Sequence, residues 1–178
     1  MKQETNLYTV TVPPMRTSLK ALAGILDKAS AHAESKRTPR RSYEDALLAD
    51  RLVFDQFPLV MQVRIAADNA KLGAARLAGI EAPAFEDTES TVAELKERLD
   101  KTIAFLDTIK PDAVAGHEDR KVELPYFPGK HLKAFDYATQ YLMPNFYFHV
   151  VTAYAILRKN GIALGKGDYL VDLVLHDN

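Results

Sequence analysis

The sequence predicts an all-α protein: an up-down four-helix bundle in one domain spanning 1–178, with a short β-hairpin between the third and fourth helices. Three observations lead there. Apolar residues recur at helical spacing over four long stretches, and proline or glycine ends the second, third and fourth of them. Each helix carries one apolar stripe, and four such stripes are buried most simply against one another. No internal repeat or low-complexity linker divides the chain. Its 178 residues, 47% hydrophobic and 26% charged, suit one compact domain with a sizeable core.

The first helix begins after Pro13-Pro14, where proline in the first turn loses no hydrogen bond. Met15, Leu19, Leu22, Leu26, Ala29 and Ala33 alternate spacings of four and three, which puts them on one face. A second helical stretch runs from about Tyr43 to Leu77 with Pro58 inside it, so a kink or break is expected near Phe57. Gly79 supplies its C-cap and Pro83 follows. The third helix opens on a capping box, Thr91 to Glu94, and its seam reads Val92, Leu95, Leu99, Thr102, Leu106 and Ile109 before Pro111 closes it. Glu94–Arg98 and Glu97–Lys101 are i,i+4 pairs expected on its wet face. Helical patterning then lapses over 112 to 137. Val122, Leu124 and Tyr126 alternate, "FPGKH" reads as a turn, and Leu132 to Phe135 return as a hairpin. The fourth helix runs from about Ala138 to Asn160 and stops at Gly161. "DYLVDLVL" ends the chain as a short strand or a packing arm.

Composition removes several function classes. A formal net charge of −1 argues against nucleic acid as a partner, since phosphate binding needs a clustered positive surface. The one basic cluster, Lys36 to Arg41, reads as a solvated loop between helices. With no cysteine, disulfides, thiolate metal sites and cysteine nucleophiles are excluded. The N-terminal stretch lacks the apolar segment of a signal peptide, so a cytoplasmic protein is expected. The most apolar run, Tyr141 to Leu157, is shorter than the roughly 20 residues a membrane span requires, and it reads as a buried helix without a membrane partner. "NGIALGKG" follows a helix rather than a strand and lacks the terminal hydroxyl residue, so it is not a phosphate-binding loop.

Bundle sites are built from inward-facing polar residues on facing helices. On the fourth helix Asn145, His149, Thr152 and Ile156 share a face, and on the second Asp55, Gln62 and Asn69 are spaced by seven near the apolar stripe. Each has a bland reading, a hydrogen-bonded core histidine, a partner for backbone freed at Pro58, or a water-facing amide. Together they suggest a site, because a buried carboxylate needs a partner. Asp55 would orient the His149 imidazole and raise its pKa. Zinc needs three or more protein ligands, and the remaining histidines fall on loops, helix ends and the tail, with no HxxxH or HExxH among them. His149, Asp55 and Gln62 make a weak set.

The stretches "FDQFPLVMQV" (54–63), "RLAGIEAP" (76–83) and "PNFYFHVVTAYAILRKNGIALGK" (144–166) resemble a bacterial and fungal domain-of-unknown-function family within the DinB/YfiT-like superfamily of four-helix metal-binding proteins. The resemblance implies that bundle fold over nearly the whole chain. The superfamily carries three metal-binding histidines, one on the second helix and two spaced by four near the start of the fourth. His149 takes the second position of that pair, with Leu157, Arg158 and Gly161 in step; Asn145 takes the first, and Gln62 is the nearest polar residue to the helix-two position. Two of three expected ligands are therefore absent. Some superfamily members are thiol-dependent transferases and isomerases, and a homodimer is a family-level expectation.

Three readings follow. The first is a metal-independent small-molecule site in the bundle core: His149 as central group and general base, Asp55 orienting it, Asn145 and Gln62 as hydrogen-bonding groups, Tyr154 and Arg158 at the mouth. The second is a degenerate enzyme, thiol-transferase-like, that retains a divalent metal. The third is a structural, dimeric bundle without a site.

Overall fold

The computed structural model describes residues 5–36 and 39–177. Met1–Glu4 of the N-terminal stretch and Arg37 and Thr38 of the basic cluster lie outside them. The main helices are α1 (Val12–Glu34), α3 (Leu59–Ala78), α4 (Val92–Asp107) and α6 (Met143–Lys159), with a short α2 (Arg40–Ala49) after α1. The expected seams of α1 and α4 are fully buried, and the Thr91–Glu94 capping box forms with both of its hydrogen bonds. Pro58 produces a break rather than a kink: α2 ends at Ala49, and an irregular stretch precedes α3.

The four long helices close into a bundle in which α3 packs most extensively on α6 and α1 on α4. Ion pairs give their directions. Arg16 pairs with Asp107 and Asp27 with Lys96, so α1 and α4 are antiparallel. Arg64, near the start of α3, holds Glu89 just before α4, while Arg120 reaches the Leu77 carbonyl in the last turn of α3 and the Ala113 carbonyl beyond the end of α4. Thus α3 and α4 run parallel, and residues 80–91 cross back along the bundle between them.

The fixing group for that crossover is Arg98, 1% exposed. Its guanidinium meets Asp68 at 2.9 Å, Asp87 at 3.0 Å and Glu89 at 2.8 Å. A wet-face pair with Glu94 is therefore not formed. Glu94 instead accepts from the backbone N–H of Ser90 and Thr91. Phe85 of the crossover lies under the Lys71 ammonium, 4.0 Å from its ring centre.

The hairpin is present as β1 (Lys121–Glu123) and β2 (His131–Lys133), antiparallel with Val122 opposite Leu132. Val122 and Leu124 are buried but Tyr126 is exposed, since Pro125 ends the strand alternation. Helical structure resumes at α5 (Ala134–Asp136), passes through a π-helical segment (Tyr137–Leu142) and continues as α6. Pro144 explains the π segment: it has no N–H, and its ring would crowd the carbonyl four residues back in a regular helix. Leu142 on this segment packs where Gly73 of α3 has no side chain. After Gly161 (φ 82°) comes a short α7 (Lys166–Tyr169), and 170–177 form an extended arm rather than a strand. No helix among the described residues is long and apolar enough to cross a membrane.

Candidate functional site

The α3–α6 seam is lined with small residues, Ala66, Ala67, Ala70 and Gly73 among them, so the two helices approach closely. Into that seam α3 projects Gln62 and Asn69, and antiparallel α6 projects Asn145 and His149. His149 Nδ1 lies 2.7 Å from Gln62 Oε1. Gln62 Nε2 donates to the Phe57 carbonyl at 2.9 Å, which fixes its amide orientation. An amide oxygen only accepts, so Nδ1 carries the proton and Nε2 keeps its lone pair. One turn away Asn145 Nδ2 donates to Asn69 Oδ1 at 3.2 Å, and Asn69 Nδ2 is sealed without a partner.

His149 is 7% exposed and Gln62 1%. Nε2 makes no hydrogen bond among the described residues and is not one of their sealed, unpartnered atoms, so the residual exposure reaches it. Burial lowers the His149 pKa below its ordinary 6.5. Phe148 sits edge-on to the imidazole with ring centres 5.2 Å apart. His149 does not line the depressions at the hairpin, at the crossover, beside the 50–58 loop or along the starts of α1 and α6.

Of the expected site residues, Gln62, Asn145 and His149 come together and three others do not. Asp55 is exposed on the 50–58 loop and makes no hydrogen bond to His149, because Pro58 starts α3 after it and takes it off the helical register. The orienting partner is the neutral Gln62, so the imidazole pKa falls where a carboxylate would have raised it. Tyr154 is about 140° around α6 from His149 and packs edge-on to Tyr169. Arg158 is exposed on the opposite side of the helix. The Phe57 carbonyl that anchors Gln62 leaves no signal in a sequence. Asn69 does leave one, seven residues after Gln62 on the same stripe.

The domain-of-unknown-function family DUF1993 matches residues 7–170. The chain belongs to that family. Among solved structures, a DinB family member from Shewanella denitrificans is 40% identical to this DUF1993 chain and covers 97% of it and 96% of its own length, with a TM-score of 0.89. The DinB-like fold is therefore shown at the level of the whole DUF1993 domain. A comparison with curated proteins gave no match.

Gln62, Asn145 and His149, the positions at which the resemblance leads one to expect metal ligands, face one seam, but their groups do not fit a transition ion. One imidazole is joined by carboxamides, whose oxygens are weak donors for such ions, and the Gln62 oxygen is already committed to Nδ1. Among the described residues no three His, Asp or Glu side chains are placed to hold a metal.

Proposed function

We propose that this DinB-like protein binds a small molecule without a metal, at the outward edge of the α3–α6 seam, with His149 Nε2 as the hydrogen-bond acceptor and general base. The observation that carries this is the Phe57–Gln62–His149 relay. It locks the imidazole into the tautomer with Nε2 unprotonated and directed away from the relay. A lowered pKa keeps that lone pair free at neutral pH. The ligand class is one that donates a hydroxyl, thiol or amide hydrogen to Nε2 and rests an apolar part on Phe148. Asn145, held by Asn69, is the second polar contact. Asp55, Tyr154 and Arg158 have no part in this reading.

The reading is tested by following the His149 imidazole by NMR during a small-molecule screen, with His149→Gln as control. Hits should move the Nε2 resonance and lose binding in the variant. A screen in which no hit perturbs His149 sinks it. A second reading has its own support, the near-complete burial of His149 and Gln62: the four side chains would then serve only to fix the α3–α6 register. In that case His149→Gln should lower stability with nothing to bind. We further propose a homodimer through the apolar surface beside this edge.

A further inference from the structure

A second surface, on the opposite side of α6 from His149, carries a site of its own. Two open depressions of about 450 and 490 Å³ share Thr9, Pro14 and Tyr147 and so form one groove along the parallel starts of α1 and α6. Each is within the size range of small-molecule sites. One wall is the extended arm after α7, through Leu170, Leu173 and Val174. The arm's apolar side chains stay largely in water, Val174 at 81% exposure, although the open groove lies beside them. Asp172 in this arm (φ 54°) is the one non-glycine residue with a positive φ among the described residues, and the turn it makes keeps Leu173 and Val174 along the groove.

The lining defines a ligand chemistry. Asp172 is the only charged side chain in either depression, and Lys20 lies 4.0 Å from its carboxylate. The rest is apolar or hydroxylic. Thr9 and Thr139 hydroxyls are spent on backbone carbonyls. Those of Thr17, Tyr147 and Tyr169 donate to no backbone carbonyl or carboxylate among the described residues, and Ser18 donates its hydroxyl hydrogen to the Tyr147 phenol oxygen, which leaves the Tyr147 hydrogen free. Hydroxyl donors over an apolar floor, beside a carboxylate whose charge Lys20 already balances, favour an uncharged molecule with an accepting oxygen.

We infer that the groove between the N-terminal ends of α1 and α6, walled by the 170–174 arm, binds an elongated uncharged apolar compound bearing a carbonyl or ether oxygen. The oxygen accepts from the Tyr147 hydroxyl, which Ser18 holds in place, and the apolar body covers Pro13, Pro14 and Leu173.

Three probes of one shape decide it: methyl 2-naphthyl ketone, 2-naphthoate and 2-naphthylmethylammonium, titrated into the full chain while the Tyr147 and Tyr169 ring resonances are followed by NMR. The ketone should bind roughly tenfold tighter than either ion, a difference of about one hydrogen bond plus desolvation. Tyr147→Phe should weaken it several-fold, and Ser18→Phe, which fills the groove from a half-buried position on α1, should abolish it. His149→Gln should leave it unchanged, so this inference and the His149 reading fail separately. Equal binding of the three probes, binding that survives Ser18→Phe in a protein with unaltered circular dichroism, or no binding of the ketone at millimolar concentration overturns the proposal. A chain whose groove is filled by a second copy gives that last result and counts against it equally.

Discussion

His149 owes its chemistry to a neutral partner. Because burial lowers its pKa, the folded protein binds fewer protons at this site than the unfolded chain does. Its contribution to stability is therefore complete above the unfolded value of 6.5, is lost as pH falls from there to the folded pKa, and changes no further below it. His32 shifts in the same direction, through burial and then Lys36, so the comparison must be wild type against His149→Leu. Urea titrations at pH 5 and 7.5 should show a smaller pH effect in the variant; an imidazole that titrates at or above 6.5 by NMR refutes the assignment. Gln62 gives the sharper control. Gln62→Leu strands a buried N–H and the Phe57 carbonyl, and should cost about 1–3 kcal/mol for each group in urea unfolding. Gln62→Glu puts a carboxylate against Nδ1 and should move the His149 pKa the other way, above 6.5.

At the scale of the elements, the bundle depends on one close approach and one buried charge. A methyl at Gly73 would overlap Leu142, so Gly73→Ala should destabilise by about 1–3 kcal/mol, and Leu142→Ala should recover part of that in the double variant. A simple sum of the two single effects in thermal melts would show that the contact does not set the α3–α6 spacing. Arg98 holds the crossover through three carboxylates, and removing it leaves those charges facing one another. Arg98→Met should cost about 3–5 kcal/mol, and Arg98→Lys should not restore the loss, since an ammonium cannot span Asp68 and Glu89 together. Full stability with Arg98→Met would remove the crossover from the fold's supports. Burial pushes the Glu89 carboxyl up, but hydrogen bonds from Arg98 and Arg64 outweigh it and hold the pKa below 4.5. That contribution is present above 4.5 and is lost as pH falls through the depressed folded value.

The same elements show what a sequence reveals and what it hides. The α1 and α4 seams were legible because each is a local period, and the capping box because its four residues are contiguous. Gln62, Asn145 and His149 were legible as polar residues on apolar stripes. Asp55 was misplaced because a helical register carried across Pro58 has no meaning once the helix breaks there. Arg98 read as a surface residue because its partners, Asp68, Asp87 and Glu89, arrive from another helix and from the crossover. The π segment, one residue in excess of a regular helix turn, leaves the apolar pattern nearly unchanged and shows only through Pro144.

Across the whole molecule, exposed apolar surface is unevenly placed. The 50–58 loop presents Phe54, 91% exposed, with Leu52, Val53 and Phe57 also largely in water. Lys159 Nζ holds the Arg51 carbonyl at 2.6 Å, Lys159 and Asn160 both hold the Asp50 carboxylate, and Gln62 ties Phe57 to His149, so the loop is fastened to α6 near both of its ends. Phe148, half exposed on α6 next to His149, adds to that side, and a patch of this kind marks an interaction surface. A homodimer through it would place the two His149 edges near the interface, with the ligand entering at its rim. Sedimentation at micromolar concentration should then give a dimer. Phe54→Asp and Phe148→Asp should each weaken it by roughly tenfold or more, as for an aromatic anchor, while the melting temperature of the monomer stays near wild type because neither ring belongs to the core. A wild-type protein that sediments as a monomer would leave the patch to the ligand alone, and the two substitutions should then lower ligand affinity without altering mass.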